Sequence, residues 1–298
     1  MARLPAPLQM RLENVARAYF DPPGATPIDF SAPAGAPALL APDSLTWRVM
    51  KNPIALLVGG IAAVILELAE PRVRTGVWEH TSFRADPALR MKRTGYAAMV
   101  TVYAPEEDAR AMIAGVVRAH ERIAGLTPSG AAYRANDVEL LNWVHATASY
   151  GFVEAYRRYV HKLSDAEIDR LYAEGALGAS LYGAIGAPRS AAEMNALFAS
   201  MRPKLEPSDI VTQFLGIVRD APILPLRSVQ RLIVRAAVML TPPWARAILG
   251  LGAAHGLRPG GAILMRALGA AADRIVLEDA PPAQACVRMG LPKDYLYR

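Results

Sequence analysis

His120 sits in a run, Met112, Ile113, Val116, Val117, His120, Ile123 and Ala124, whose members recur at intervals of three and four. On a helix that spacing places the imidazole on the face turned toward the core. A buried imidazole needs a hydrogen-bond partner or a metal, and neutral imidazole is the commonest metal ligand among side chains. The ordinary reading is a core histidine satisfied by a neighbour; the chemical reading is a ligand to haem iron or another metal. His145 repeats the pattern, flanked by Val138, Leu141, Ala148 and Phe152 at helical spacings. His80 falls in a polar run from Glu79 to Arg84, read as a loop with a solvent-facing imidazole.

Arg90 and Thr94 stand four apart and share a helix face, while Arg93 is less well placed on it. Turned outward they are a surface pair. Turned inward, the guanidinium suits a carboxylate such as a porphyrin propionate, and the hydroxyl suits bound oxygen or water. A carboxylate-bridged di-iron bundle needs Glu-x-x-His pairs on two helices, and none occurs. Glu67 and Glu70 lack a histidine three residues on and read as a solvated helix edge. Phosphate-binding loops, a nucleophile elbow and a His-Glu-x-x-His helix are also absent. The spaced glycines of Gly178 to Gly186 lack a strand context and read as a loop between helices.

These residues must be held by helices. Alanine, leucine and arginine dominate, and no alternating strand pattern of useful length appears, so the expected fold is all-α. We expect one multi-helix, bundle-like domain over 44–298, preceded by an extended N-terminal arm over 1–43 whose stretch from Asp21 to Pro42 is dense in Pro, Gly and Ala. Leu56, Leu57, Ile61, Val64, Ile65 and Leu68 mark a core helix ending before Pro71. Asp86 with Pro87 opens the helix of Arg90 and Thr94. Pro105 with three acidic residues opens the His120 helix, expected to reach Gly125, and Asn136 with Asp137 starts the His145 helix, expected to reach Tyr159. Ser164 with Glu167, and Ser190 with Glu193, are spaced as capping boxes. Later helices fall at Asp209 to Val218, Ser228 to Leu240 and Gly261 to Ala272.

A net charge of +6 is scattered rather than gathered into a stripe, so no nucleic-acid partner is expected. One cysteine, Cys286, excludes a disulfide within the chain and cysteine-built metal sites, and a reducing, cytoplasmic setting fits best. The apolar run from Ile54 to Leu66 is shorter than the roughly 20 residues that span a bilayer. Peripheral membrane contact through Leu232 to Ala254, interrupted by Pro242, Pro243 and Arg246, is the less favoured expectation. Nothing in the residues fixes an oligomeric state.

One ordered set of residues carries a resemblance. Gly59-Gly60, the ILELAEP run to Pro71, Gly76-Val77, Glu79-His80, Phe83, Asp86-Pro87, Arg90 and Thr94 are followed by His120, Arg122 and Gly125, then Tyr133 to Asp137 and Leu140 to Thr147. This set resembles the catalytic domain shared by mpaB-type oxygenases and rubber oxygenases, the latex clearing proteins, strongly from Trp47 to Ser164 and more loosely to about Gly250. The resemblance implies an all-α oxidoreductase enclosing a haem pocket, with haem b held by one axial histidine near an Arg-x-x-x-Thr pair. It places the axial, iron-binding role on His120, assigns Arg90 and Thr94 to the cofactor and catalytic machinery, and adds His145 as a pocket residue or second ligand. Many relatives have Gln and His where this chain has Glu67 and Glu70, so no pocket role carries over to those positions. The implied reactants are dioxygen and a small apolar, unsaturated, isoprenoid-like substrate. The alternatives are a haem-binding helical protein without turnover, and a non-haem iron site built from His80, His120, His145 and a glutamate.

Overall fold

Proline or a capping side chain opens most of the helices, and the breaks fall where those residues stand. The computed structural model of the protein describes residues 6–20 and 23–298; residues 1–5 and 21–22 of the expected arm lie outside the described residues. Helix α1 spans Ala6–Phe20, so the first part of the expected arm is helical rather than extended, and residues 23–44 carry no helix or strand before α2 (Leu45–Met50). Asn52 caps α3 (Pro53–Glu67), its carboxamide oxygen accepting from the backbone N–H groups of Ile54 and Ala55. Glu70 does the same for α4 (Pro71–His80), with Pro71 at the first helical position. Asp86 caps α5 (Pro87–Tyr103) through Leu89 N. Helix α6 (Glu106–His120) has three acidic residues in its first turn, where they favour the helix dipole.

A small antiparallel hairpin follows, β1 (Ala124–Leu126) and β2 (Ala132–Arg134), with Gly125 opposite Tyr133. Asp137 then caps α7 (Val138–Tyr159). The remaining helices are α8 (Asp165–Leu181), α9 (Ala191–Met201), α10 (Asp209–Asp220), α11 (Arg227–Leu240), α12 (Pro243–Ile248), α13 (Gly261–Ala272) and α14 (Pro281–Arg288). The protein is all-α apart from the hairpin. Ser164 and Glu167 form a reciprocal capping box; Ser190 caps α9, but Glu193 accepts from Arg189 N instead.

Helices α3 and α7 pack along each other more extensively than any other pair, and α11 and α13 close over them. Their shared core includes Val58, Ile65, Leu66, Trp143, Val153 and Tyr156. A second cluster joins Phe30 to Trp47, Tyr96, Met99, Tyr103 and Cys286, so the segment before α2 is seated on α5 and α14.

Four local expectations are corrected. The His120 helix stops at His120 rather than Gly125, because residues 124–126 leave it to pair with 132–134 around a turn at Gly130, whose φ is +85°. Three-residue strands are too short to show an alternating pattern. His80 is the last residue of α4, not part of a loop, since the Glu70–Pro71 start leaves room for three helical turns. Glu67 and Glu70 do not form a solvated edge: the chain bends by 111° between α3 and α4, and both carboxylates are enclosed where the surrounding helices pack on that corner. Residues Gly178 to Leu181 belong to α8, and the loop begins after them. Among the described residues no single helix is long and apolar enough to cross a membrane.

Candidate functional site

The end of α3, the length of α4, the first turns of α5, the end of α6, the hairpin and the first turns of α7 surround a cavity of about 170 Å³. Val73, Val77, Ile123, Leu140, Leu141 and Val144 form its apolar walls. Into it project Glu67, Arg90 and His120, with Tyr133 at one side.

His120 closes α6 and is half-buried. A helix C-terminus favours an imidazolium. Burial works against the charge more strongly, and the nearby Arg90 guanidinium adds to that, so the pKa lies below its ordinary value and the ring is neutral at pH 7. Asn136 stands beside the imidazole and partly offsets these effects. Its amide nitrogen donates to the Val117 carbonyl at 3.0 Å, while its buried amide oxygen has no partner among the described residues other than the imidazole beside it. Such an acceptor is the kind of group that takes the N–H of a metal-ligating histidine, fixing the tautomer and freeing the other nitrogen for the metal.

Glu67 is the group the sequence reading set aside. Burial pushes its carboxyl up to about 7, against the opposing influence of Arg90 and of the Thr147 hydroxyl, which lies 3.5 Å from Oε1. Near neutral pH the site therefore holds an acid that gains and loses a proton easily. Arg90 reaches the cavity while its Nη1 donates to Thr94 Oγ1 at 2.7 Å. Thr94 itself is exposed and does not line the cavity. Glu70, 1% exposed, is occupied by the N–H of Val73 and by Arg72 Nε at 2.6 Å, so its role is to start α4.

The structure separates the three histidines. His145 lies on α7 among Ser149, whose Oγ is 3.0 Å from its Nε2, and Gly175 of α8, and it does not line the cavity. Burial alone lowers its pKa to about 4. His80 is exposed, with Nε2 3.1 Å from the Tyr133 hydroxyl. That hydroxyl lies so close to Gly125 that a Cβ there would come within 2.7 Å of it, so the hairpin glycine seats Tyr133 at the cavity. Among the described residues no group of three or more His, Cys, Asp or Glu side chains is placed to hold a metal, and the three-histidine non-haem arrangement is not formed. Tyr133 and Glu67 are the site residues missed from the sequence. The motif runs contain both, but no spacing rule marks a residue enclosed by elements from elsewhere in the chain.

The donor types suit a haem: one neutral imidazole with an amide acceptor beside it, one guanidinium, and apolar walls. The space does not, since about 170 Å³ falls below the roughly 300–1,000 Å³ typical of ligand pockets, so the structure shows the donor groups and not a formed haem pocket.

An all-α scaffold whose central helices end around an apolar, proton-holding cavity is the class defined by this geometry. The family model described as the catalytic domain of ER-bound oxygenase mpaB/B' and rubber oxygenase matches residues 47–274, past the Gly250 limit of the sequence resemblance, and the chain belongs to that family. No curated protein and no solved structure matches it significantly.

Proposed function

We propose that the protein is a haem-dependent oxygenase that holds haem b on His120 and acts with dioxygen on a small apolar, unsaturated substrate of isoprenoid type. Membership of an oxygenase family supports the reaction class. The single observation supporting His120 as the ligand is its neutral imidazole beside the Asn136 oxygen, which has no other partner among the described residues, inside the family's domain. In this reading Arg90 meets a propionate and Thr94 holds the guanidinium in place from outside the cavity. Bound haem would supply the iron that reacts with dioxygen. The chain's own part is to keep His120 deprotonated and oriented, to exclude water with Val73, Val77, Leu140 and Val144, and to hold or release a proton at the Glu67 carboxyl. A cytoplasmic setting, suggested by the lone cysteine Cys286, is part of the proposal.

The test is expression with haem supplied, followed by the visible spectrum and oxygen uptake with unsaturated isoprenoid substrates. A Soret band that disappears in His120→Ala, with uptake in the parent protein, is the expected result. Protein that emerges with no Soret band overturns the haem assignment.

A further inference from the structure

Twelve residues beyond Val144, roughly 18 Å along α7, a second cavity of about 470 Å³ opens at the far end of the bundle. It lies within the size range of small-molecule sites. Its floor is a closed polar network. Asp273 accepts from Lys51 Nζ at 2.7 Å and from Asn52 Nδ2 at 3.1 Å, and His161 Nε2 lies 3.3 Å from its other oxygen. Lys51 is almost fully buried, so the Asp273 charge is already compensated. Glu167 faces the cavity but is turned to the N–H and hydroxyl of Ser164 in the α8 capping box.

The cations around the rim are different. Arg48, Lys162 and Arg274 line the cavity, and among the described residues none of them forms an ion pair. Arg298, also on the rim, is bound to Asp294. Counting side chains, three cations with no ion pair among the described residues stand against the one carboxylate of Glu167, an excess of two positive side-chain charges. A separate observation concerns Tyr156, which lines the same cavity, is 1% exposed, and has a buried hydroxyl without a hydrogen-bond partner among the described residues. Asp273, Arg48 and Glu167 are the charges that act on this hydroxyl, which sets it among the groups of the cavity. Leaving a buried hydroxyl unpaired costs about 1–3 kcal/mol, which an acceptor delivered by a ligand recovers.

We propose that this cavity is a second ligand site, for a small molecule bearing a phosphate monoester. A dianion matches the excess of two charges, and its oxygens can be shared between the guanidinium forks of Arg48 and Arg274 and the ammonium of Lys162. Tyr156 donates to one further acceptor. The volume exceeds what a bare phosphate fills, and Leu163, Leu296 and the Tyr297 ring offer an apolar wall to the organic body. The site shares no lining residue with the His120 cavity, so it stands whether or not haem is bound.

The experiment titrates the purified full chain, at constant ionic strength, with inorganic phosphate, glycerol 3-phosphate and adenosine monophosphate by calorimetry. Phosphatidylcholine vesicles with and without phosphatidic acid are tested in parallel by co-sedimentation. Saturable binding of a soluble monoester is expected, weakened roughly tenfold for each of Arg48→Ala and Arg274→Ala. Tyr156→Phe should weaken it less while leaving the melting temperature close to that of the parent. Binding confined to phosphatidic acid vesicles and lost in Arg48→Ala keeps the phosphate site and assigns it to a lipid headgroup. No saturable binding of any probe at millimolar concentration overturns the proposal, as does binding that both arginine variants leave unchanged.

Discussion

The backbone of Gly59 on α3 lies directly against that of Gly151 on α7: a Cβ on Gly59 would fall 2.7 Å from the Gly151 carbonyl group. The two central helices therefore approach at a point where neither tolerates a side chain, and relief would need both backbones to move. Alanine gains up to about 1 kcal/mol of helix propensity over glycine, whereas overpacking a core costs about 1–3 kcal/mol or more. Gly151→Ala should lower stability by about 2 kcal/mol. Gly216, inside α10 with nothing near its missing Cβ, is the matched control, and Gly216→Ala should raise stability by about 0.5–1 kcal/mol. Thermal melts of both variants decide the matter; equal shifts would show that α3 and α7 do not touch in this way.

Glu67 and His145 impose opposite pH dependences on folding. Between about pH 4.5 and 7 native Glu67 keeps a proton that the unfolded chain has lost, so stability falls as pH rises through that window. Between about 6.5 and 4 the unfolded chain binds a proton that native His145 refuses, so stability falls as pH drops. Each shift corresponds to about 3 kcal/mol at full extent. The two slopes nearly cancel in the parent, and single variants unmask them. Glu67→Gln should gain stability over the parent with rising pH, and His145→Gln should gain over it with falling pH, in urea melts of cofactor-free protein at pH 4.5, 5.5 and 7. Parallel profiles for parent and variants would contradict both assignments.

Arg288 is 1% exposed and donates to three carbonyls, those of Phe30 at 2.7 Å, Tyr103 at 2.8 Å and Ala36 at 2.9 Å. It is the rivet between α14, α5 and the segment before α2. Arg288→Met removes a buried charge but strands three acceptors, at a cost of about 3–5 kcal/mol. Limited proteolysis should then cut within residues 23–43 well before the parent is cut. Unchanged resistance would mean that the other contacts of the segment, among them Phe30 in its cluster, Tyr96 donating to the Thr26 carbonyl and Glu106 N to the Pro37 carbonyl, hold it without the guanidinium.

If His120 is the haem ligand, Asn136→Ala should weaken haem retention roughly 10–100-fold, as expected when the partner of a ligating histidine is lost. His145→Ala should leave the Soret position unchanged, because His145 points to Ser149 and Gly175 rather than into the cavity. Loss of haem in the His145 variant with retention in His120→Ala would move the ligand to α7.

Helix order and most helix starts were legible because caps and prolines act within three or four residues. Asp137, Ser164, Asp209 and Gly261 are found where local chemistry puts them. The family was legible for a related reason, since an ordered run of motif residues survives in one dimension. Glu67 was not: its neighbours mark it as the end of an apolar helix, and only the packing of α4, α5 and α7 around that end encloses its carboxyl near Arg90. His145 had the same helical spacing as His120, yet periodicity gives a direction only relative to its own helix. Whether that direction meets a cavity or a neighbouring helix depends on how α7 and α8 pack. By itself, then, the sequence determined an all-α protein of the oxygenase family with His120 and Arg90 as chemical candidates. The tertiary structure decided which groups share a desolvated space. Burial, which sets the protonation of Glu67, His120 and His145, is a property of packed neighbours from distant parts of the chain.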